Sequence, residues 1–449
     1  MNKNSFGKNL LVSILALVVG FLASFAVFNI YFTNDLNFYL VGDSTTNIGL
    51  GSTYNEQGVV CNFRGKDYSN DVVISYYNNL NQTVDSINTN TPTSYIVKYN
   101  VDNGKITCTI QRIVNIVAMD DLEINFLTLG NGNNGDCIYI KAGETDILVD
   151  AGSKRNSATA IKEYLTDSDS TLHSYVEDNK LEYVIATHAH EDHIAAFIGE
   201  NSKKNGIFYE FEIDTLIDFP MTNSKSGIYN DYKNKVDELE KNGMKHYTAL
   251  ECYNDEDMRV IEVAAGIEIE ILYNYYYENE ARKENNYSVC FMLRRGEQQF
   301  LFTGDLEHEE NAESYLVDNN NLGEVYLYKL GHHGSKTSSS MKLLNEIKPK
   351  VAIVTCVAFC DEYDTSSTNN LFPTEYAINN LVTVGTVEHL YVTSMATFNS
   401  SGIEVGYEDA NGDIVVRCSG SETIIECSND NRDFFEFDIF DDYRDWVKN

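Results

Sequence analysis

Basic residues are scarce in this chain of 449: 33 Lys and Arg stand against 68 Asp and Glu, a formal net charge of −35. No dense basic run occurs, which counts against tight nucleic-acid binding, because neutralising phosphates takes clustered Lys and Arg. A small or cationic substrate suits the charge better. Proline is also rare, four residues, alongside abundant Asn and Tyr. That bias reads as genomic rather than functional. The cysteines are few and odd in number, nine, with no CxxC pair. They exclude a disulfide framework in a protein of this size. Cys61–Cys108 and Cys418–Cys427 are the pairs to check, and a free buried thiol is the expected state of most. No internal repeat is found.

What is present begins with one uncharged run, Leu10 to Phe28, preceded by Lys3 and Lys8. Nineteen residues at about 1.5 Å rise give about 28 Å, close to the apolar thickness of a bilayer. The run exceeds an ordinary signal-peptide core, which favours a retained anchor, although Ser24-Phe25-Ala26 is a passable cleavage site. Positive charge ahead of it places the rest of the chain outside the cytoplasm. Residues 1–32 are therefore read as an anchor or signal peptide, 33–55 as a linker. From 56 to 118 short alternating runs such as Val72–Tyr76 and Tyr95–Tyr99, separated by turn clusters such as Asp102-Asn103-Gly104, predict a small β-sandwich. From 119 to 428 strands alternate with helical patterns, the signature of a layered α/β domain. Residues 429–449 form an acidic, aromatic tail.

The chemistry is concentrated after the apolar strand Tyr183–Ala186, which runs into Thr187-His188-Ala189-His190-Glu191-Asp192-His193. Alternate residues of an extended segment share a side, so His188 and His190 can converge on one ion. The chain then turns, and Asp192 and His193 can face a second. Imidazole and carboxylate suit a zinc-like ion, and two ions about 3.5–4 Å apart can activate water. Two further pieces follow in order. The strand Gln299–Phe302 leads to Thr303-Gly304-Asp305, where Asp305 can bridge both ions. The strand Val325–Leu330 leads to Gly331-His332-His333-Gly334-Ser335, where one histidine of the pair completes the set.

These motifs, with Asn134-Gly135-Asp136-Cys137 and Leu148-Val149-Asp150-Ala151-Gly152, resemble the metallo-β-lactamase superfamily. They look most like the branch that includes the ComEC competence-protein hydrolase domain and phosphorylcholine esterase. The resemblance implies an αββα sandwich over roughly residues 122–420 with two divalent metal ions, zinc or alternatively manganese. It implies that His188, His190 and Asp305 hold one ion, and Asp192, His193, Asp305 and His333 the other. His332 is then assigned to the substrate or its leaving group, and Asp192 or His332 to managing the proton. Asp136 and Asp150 match positions where a carboxylate fixes a ligand imidazole. The stretch 56–118 resembles immunoglobulin-like modules of bacterial surface proteins. Asn285-Asn286-Tyr287-Ser288 resembles the Asn-x-Ser of the competence branch, which adds Asn286 and Ser288 to the supporting residues beside Ser335. Two departures stand out. No histidine in family context lies between His193 and Asp305, since His246 reads as a surface residue, and Phe372-Pro373 replaces a His-Pro. His173, His308 and His389 match nothing.

The reaction so implied is hydrolysis of a phosphoester or phosphodiester by metal-activated water, outside the cytoplasm, on a small-molecule or cell-surface polymer substrate such as a wall polymer or a choline-type phosphodiester. A competence-type nuclease, a carboxyl-ester, lactone or β-lactam hydrolase, and a non-enzymatic surface metal-binding protein are the alternatives.

Overall fold

The computed structural model describes residues 36–50, 54–200, 202–360, 371–400 and 404–437. The apolar run Leu10–Phe28 and the end of the tail lie outside these. Among the described residues no helix is long and apolar enough to cross a membrane. The described part of the chain forms two compact units.

The first unit is all β, with a three-stranded and a five-stranded sheet. The segment read as a linker is partly folded. Leu36–Leu40 pairs antiparallel with Val59–Phe63, and Thr45–Gly49 forms the edge of the larger sheet. The reason is visible in Leu36 and Phe38, whose alternation sends both onto the small core of Cys61, Tyr68, Val101 and Ile106. A fully buried Arg112 ties this unit together. Its Nε donates to the Asp43 carbonyl at 2.9 Å, and its guanidinium meets Glu56 at 3.4 Å.

The second unit is mixed α/β. One sheet runs in the order Lys245–Thr248, Glu212–Asp218, Lys180–Ile185, Thr145–Val149, Ile138–Ala142, Leu122–Phe126, Ile414–Ser419, Glu422–Cys427. Its first four strands are parallel. The other runs Val260–Ala264, Ile267–Ile271, Phe291–Arg295, Gln298–Phe302, Leu327–Lys329, Val351–Ala358, His389–Phe398, Glu404–Asp409, with four consecutive parallel strands from Gln298–Phe302 to His389–Phe398. The strand-like runs after residue 400 thus complete the far edge of each sheet.

Period-two alternation builds the layers. Phe291, Leu293, Phe300, Phe302, Val351 and Ile353 join the core shared with the first sheet. Their neighbours Met292, Leu301, Ala352 and Val354 point the other way, onto Leu316, Leu343, Leu344 and Ile378 of three helices, Ala312–Asn319, Met341–Ile347 and Glu375–Val384. Between the sheets Phe126 stacks on Phe302 with ring centroids 6.3 Å apart. The outer face of the first sheet is covered by helices that include Ser157–Thr166, where Tyr164 donates to Asn125 at 2.9 Å. A strand such as Val351–Ala358, buried at every residue, is what a parallel strand covered on both faces requires. The tail begins inside this unit: Phe434 and Phe437 are buried in the second core.

All nine cysteines are free thiols. Cys418 and Cys427 sit on paired strands but at opposite ends of the ladder, Cys418 opposite Thr423 and Cys427 opposite Ile414. Four register steps of about 3.4 Å put them beyond bridging distance.

Candidate metal centre

The histidine-rich motif follows the parallel strand Lys180–Ile185, and His190 is the N-cap of the helix Glu191–Ile198. Asp305 follows Gln298–Phe302, and the His332-His333 pair follows Leu327–Lys329. All the candidate ligands therefore lie just past the carboxyl ends of parallel strands, where layered α/β proteins gather their sites.

Three backbone segments are stitched together beneath them. Asp136 N–H donates to the Asp192 carbonyl at 3.0 Å, Ala151 N–H to that of His193 at 2.7 Å, and Gly152 N–H to that of Asp136 at 2.8 Å. The approach is so close that a Cβ on Gly152 would sit 1.5 Å from the Asp192 carbonyl oxygen, and one on Gly135 would sit 2.6 Å from Ser153 Cα. The glycines of both motifs exist for this contact.

Asp192, His193, Asp305 and His333 offer ligand atoms that all lie within 4.8 Å of one another. His193 Nε2 is 3.1 Å from Asp305 Oδ2, and His333 Nε2 is 3.4 Å from Asp192 and 3.5 Å from Asp305. His193 Nε2, His333 Nε2 and both Asp305 carboxylate oxygens are buried without a hydrogen-bond partner among the described residues. Orphaned nitrogen and oxygen atoms converging in this way fit a divalent ion, since buried polar groups otherwise find partners. His188 and His190 stand beside this group. His188 is fully buried, its Nε2 3.9 Å from Asp305 and 3.0 Å from His190 Nδ1. His190 is half-buried.

The carboxylates behind the cluster orient it. His193 Nδ1–H donates to Asp150 at 2.7 Å, and Asp150 also accepts the Thr187 amide and hydroxyl, both at 2.7 Å. His333 Nδ1–H donates to the Thr355 carbonyl at 2.9 Å, with Asp136 at 3.2 Å. Each Nε2 is thereby left facing the cluster. Asp136 in turn accepts from the buried Lys329 ammonium and the Thr355 hydroxyl. Burial opposes charge on Asp136, but Lys329 and His333 outweigh it and hold its carboxyl well below the usual range. Burial wins at Asp150, whose pKa is raised against the pull of His193.

The cluster titrates as one body of opposite charges. Burial opposes protonation of His193 and His333, yet Asp305 with Asp150 or Asp136 outweighs it, raising His193 well above its ordinary value and His333 to about 10. Asp305 is held far down by His193 and His333 despite burial. His188 goes the other way, lowered by burial and by the neighbouring His193.

His332 differs from its neighbour: 15% of its side chain is exposed against 1% for His333. Both have left-handed backbone, φ 48° and 52°, a strained geometry for non-glycine residues that directs the two rings apart. His332 Nε2 is 3.8 Å from Asp305, and its Nδ1 meets Thr337 at 3.1 Å and Glu307 at 3.4 Å. The Asn-x-Ser residues do not reach the ligand atoms. Ser288 Oγ accepts the Asp305 amide at 3.1 Å, and Asn286 accepts that of Glu307 at 3.2 Å, so they fix the loop that carries Asp305. Ser335 does the same for the histidine pair, its amide donating to the His332 carbonyl at 2.8 Å and its hydroxyl meeting Thr337 at 2.9 Å. Phe372, at the departure from His-Pro, packs its ring 6.2 Å from His332 and 6.4 Å from His333.

His246 is not a surface residue but half-buried, bound to Asp218 at 3.0 Å. It takes no part in the cluster. Sequence reasoning missed Lys329, Thr187, Thr355, Asn285 and Glu307. Lys329, a charge inside an apolar strand, left a signal that could have been read, and Thr187 and Asn285 stand inside the quoted motifs.

Residues 130–199 match the metallo-beta-lactamase superfamily. The resemblance drawn from the motifs is thereby shown over that stretch, which contains the Asp136 and Asp150 motifs and the HxHxDH run, and the described residues hold a His/Asp cluster able to take a metal ion. The chain is similar to Recombination protein 2 of Haemophilus influenzae, 37% identical over 73 residues, 16% of this chain and 9% of that protein. It is also similar to ComE operon protein 3 of Bacillus subtilis, 31% identical over 115 residues, 24% of this chain and 15% of that protein. The matched region thus spans a small fraction of either relative. Among solved structures, a protein of unknown function from Enterococcus faecalis aligns over 48% of this chain and 51% of its own at 15% identity, with a TM-score of 0.27.

Proposed function

We propose that the protein is an extracytoplasmic, membrane-anchored hydrolase of phosphoesters or phosphodiesters that works with two divalent metal ions, zinc in preference to manganese. One observation carries the reading: four unpartnered buried ligand atoms, the Nε2 of His193 and of His333 and the two Asp305 oxygens, converge where Asp192 adds a fourth side chain of a kind that suits zinc. His188, His190 and Asp305 are proposed to hold one ion, and Asp192, His193, Asp305 and His333 the other. Such ions would lower the pKa of bound water and polarise a phosphoryl oxygen.

The protein's own groups do the rest. Asp150 and the Thr355 carbonyl keep the ligand imidazoles in one tautomer. His332, partly open and held through Nδ1 by Thr337 and Glu307, has its Nε2 3.8 Å from Asp305 and is proposed to hand a proton to the leaving oxygen. The anchor rests on the run Leu10–Phe28 and the positive residues before it. Nucleic acid is the second reading, favoured by the name of one relative, Recombination protein 2, and opposed by the −35 charge.

The test is metal content and hydrolysis of bis(p-nitrophenyl) phosphate by the full chain, beside a His190→Ala, Asp192→Ala double variant. The expected result is close to two ions per chain and turnover that falls at least about hundredfold in the variant. Metal without phosphodiester turnover but with activity on acyl esters would move the reading to carboxyl-ester or lactone hydrolysis. Absence of metal would end it.

A further inference from the structure

Lys329 is the one charged residue of the strand Leu327–Lys329, which is buried throughout. Alternation sends its side chain the same way as Leu327, into the core between the two sheets, while Tyr328 joins the opposite core. The side chain is 1% exposed, and its ammonium donates to Asp136 Oδ2. An ammonium so far from water persists only when paired. Stability alone is a weak reason for the pair, since apolar residues of similar volume commonly pack as well as a buried ion pair.

Asp136 joins the two halves of the centre. Its amide donates to the Asp192 carbonyl at 3.0 Å and its carbonyl accepts from the Gly152 amide at 2.8 Å, on the side of the first sheet. Its carboxylate accepts from Lys329 and from the Thr355 hydroxyl, both of the second sheet. The same carboxylate stands beside a candidate ligand, Oδ1 lying 3.2 Å from His333 Nδ1. Yet His333 donates that Nδ1–H to the Thr355 carbonyl at 2.9 Å. A free carboxylate is the stronger acceptor, so the imidazole has turned away from the better partner. At His193 the choice is the opposite. There Asp150 accepts the Nδ1–H at 2.7 Å, and its other partners are only the amide and hydroxyl of Thr187. The two carboxylates differ in that Asp136 is occupied by an ammonium.

We infer that Lys329 is a positioning residue for metal binding: by occupying Asp136 it leaves the His333 imidazole to the Thr355 carbonyl, and so sets the direction in which Nε2 meets an ion. The inference rests on the reading that Asp192, His193, Asp305 and His333 hold that ion. It adds that the two imidazoles are backed unequally, one by a carboxylate and one by a carbonyl. Lys329→Met frees Asp136 to accept the His333 Nδ1–H, which turns the ring. Combining it with Asp136→Asn removes both charges, keeps an oxygen for the Thr355 hydroxyl and leaves the ring where it is.

The experiment uses the full chain and two readouts: Zn²⁺ affinity by competition with a chromophoric chelator, and the downfield proton NMR signals of the metal-free protein. The two Nδ1 protons are assigned from His193→Ala and His333→Ala. In the wild type the His333 signal is expected upfield of the His193 signal, because its acceptor is the weaker one. In Lys329→Met it is expected to move downfield, toward the His193 position, with Zn²⁺ affinity lowered about tenfold or more. The double variant is expected to regain affinity to within about threefold of wild type, the sign of a pair that acts together. Thermal melts identify a variant that fails to fold, and the wild-type spectrum can overturn the inference without any variant. Coincident His193 and His333 signals in the wild type overturn it. So does Zn²⁺ affinity unchanged in folded Lys329→Met, or still lost in the folded double variant. No Zn²⁺ on the wild type ends the ion reading itself, whereas Zn²⁺ on the wild type with Lys329→Met unaffected ends only the role of Lys329.

Discussion

At the scale of single residues, the centre is a set of imidazoles whose tautomers are chosen by their second partners. Asp150 takes the Nδ1 proton of His193, and the Thr355 carbonyl that of His333. Before an ion binds, the surrounding carboxylates keep His193 and His333 protonated, the latter with a pKa of about 10. Each must give up that proton to become a ligand. A pKa raised on folding means that the proton is retained through neutral pH, so metal competes with it throughout that range. Apparent metal affinity is therefore expected to rise with pH between 6 and 8, about tenfold per pH unit for each proton displaced. Competition against a chromophoric chelator at three pH values reads this directly, and a flat profile would contradict it. The metal-free fold carries the opposite sign: the stability His333 contributes is complete below about pH 6.5 and is lost as pH rises toward about 10.

At the scale of elements, the motifs divide into those that ligate and those that support. The sequence separates them poorly, because Asn134-Gly135-Asp136 and Asp150-Ala151-Gly152 look as functional as the histidine run itself. In the structure they are a platform, hydrogen-bonded to the backbone of Asp192 and His193. Gly152 has no room for a side chain, its Cβ position being 1.5 Å from backbone. Gly152→Ala is accordingly expected to push the loop holding Asp192 and His193 out of place, with metal binding reduced by about a hundredfold and stability by about 3 kcal/mol or more. Equilibrium dialysis and a denaturant titration check the two parts. A variant with wild-type metal content would show that the contact is soft. The strands around the motifs were readable in advance from their apolar runs, Tyr183–Ala186 and Gln299–Phe302 among them. Leu36–Leu40 was not, because its alternating pattern stands between polar neighbours and earns its place only by pairing with Val59–Phe63.

At the scale of the whole molecule, stability comes from packed layers, without covalent help. All nine cysteines are free, and a structural disulfide would have been worth about 2–4 kcal/mol. The thermal midpoint is expected to move by less than about 2 °C when a thiol reductant is added. A larger fall would reveal a bridge. The sequence alone determined what is local: apolar runs for strands, the acidic balance, and the HxHxDH run, from which the structure brings Asp192 and His193 together with Asp305 and His333. It also determined the resemblance to the metallo-β-lactamase superfamily, since that rests on short motifs in a fixed order. Only the tertiary structure decided which residues stand behind the ligands. Lys329 meets Asp136 across 193 positions of chain and Thr355 meets it across 219, and Asn285 donates to Glu307 across 22. Such contacts are set by how the two sheets pack, and no periodicity along the chain encodes them.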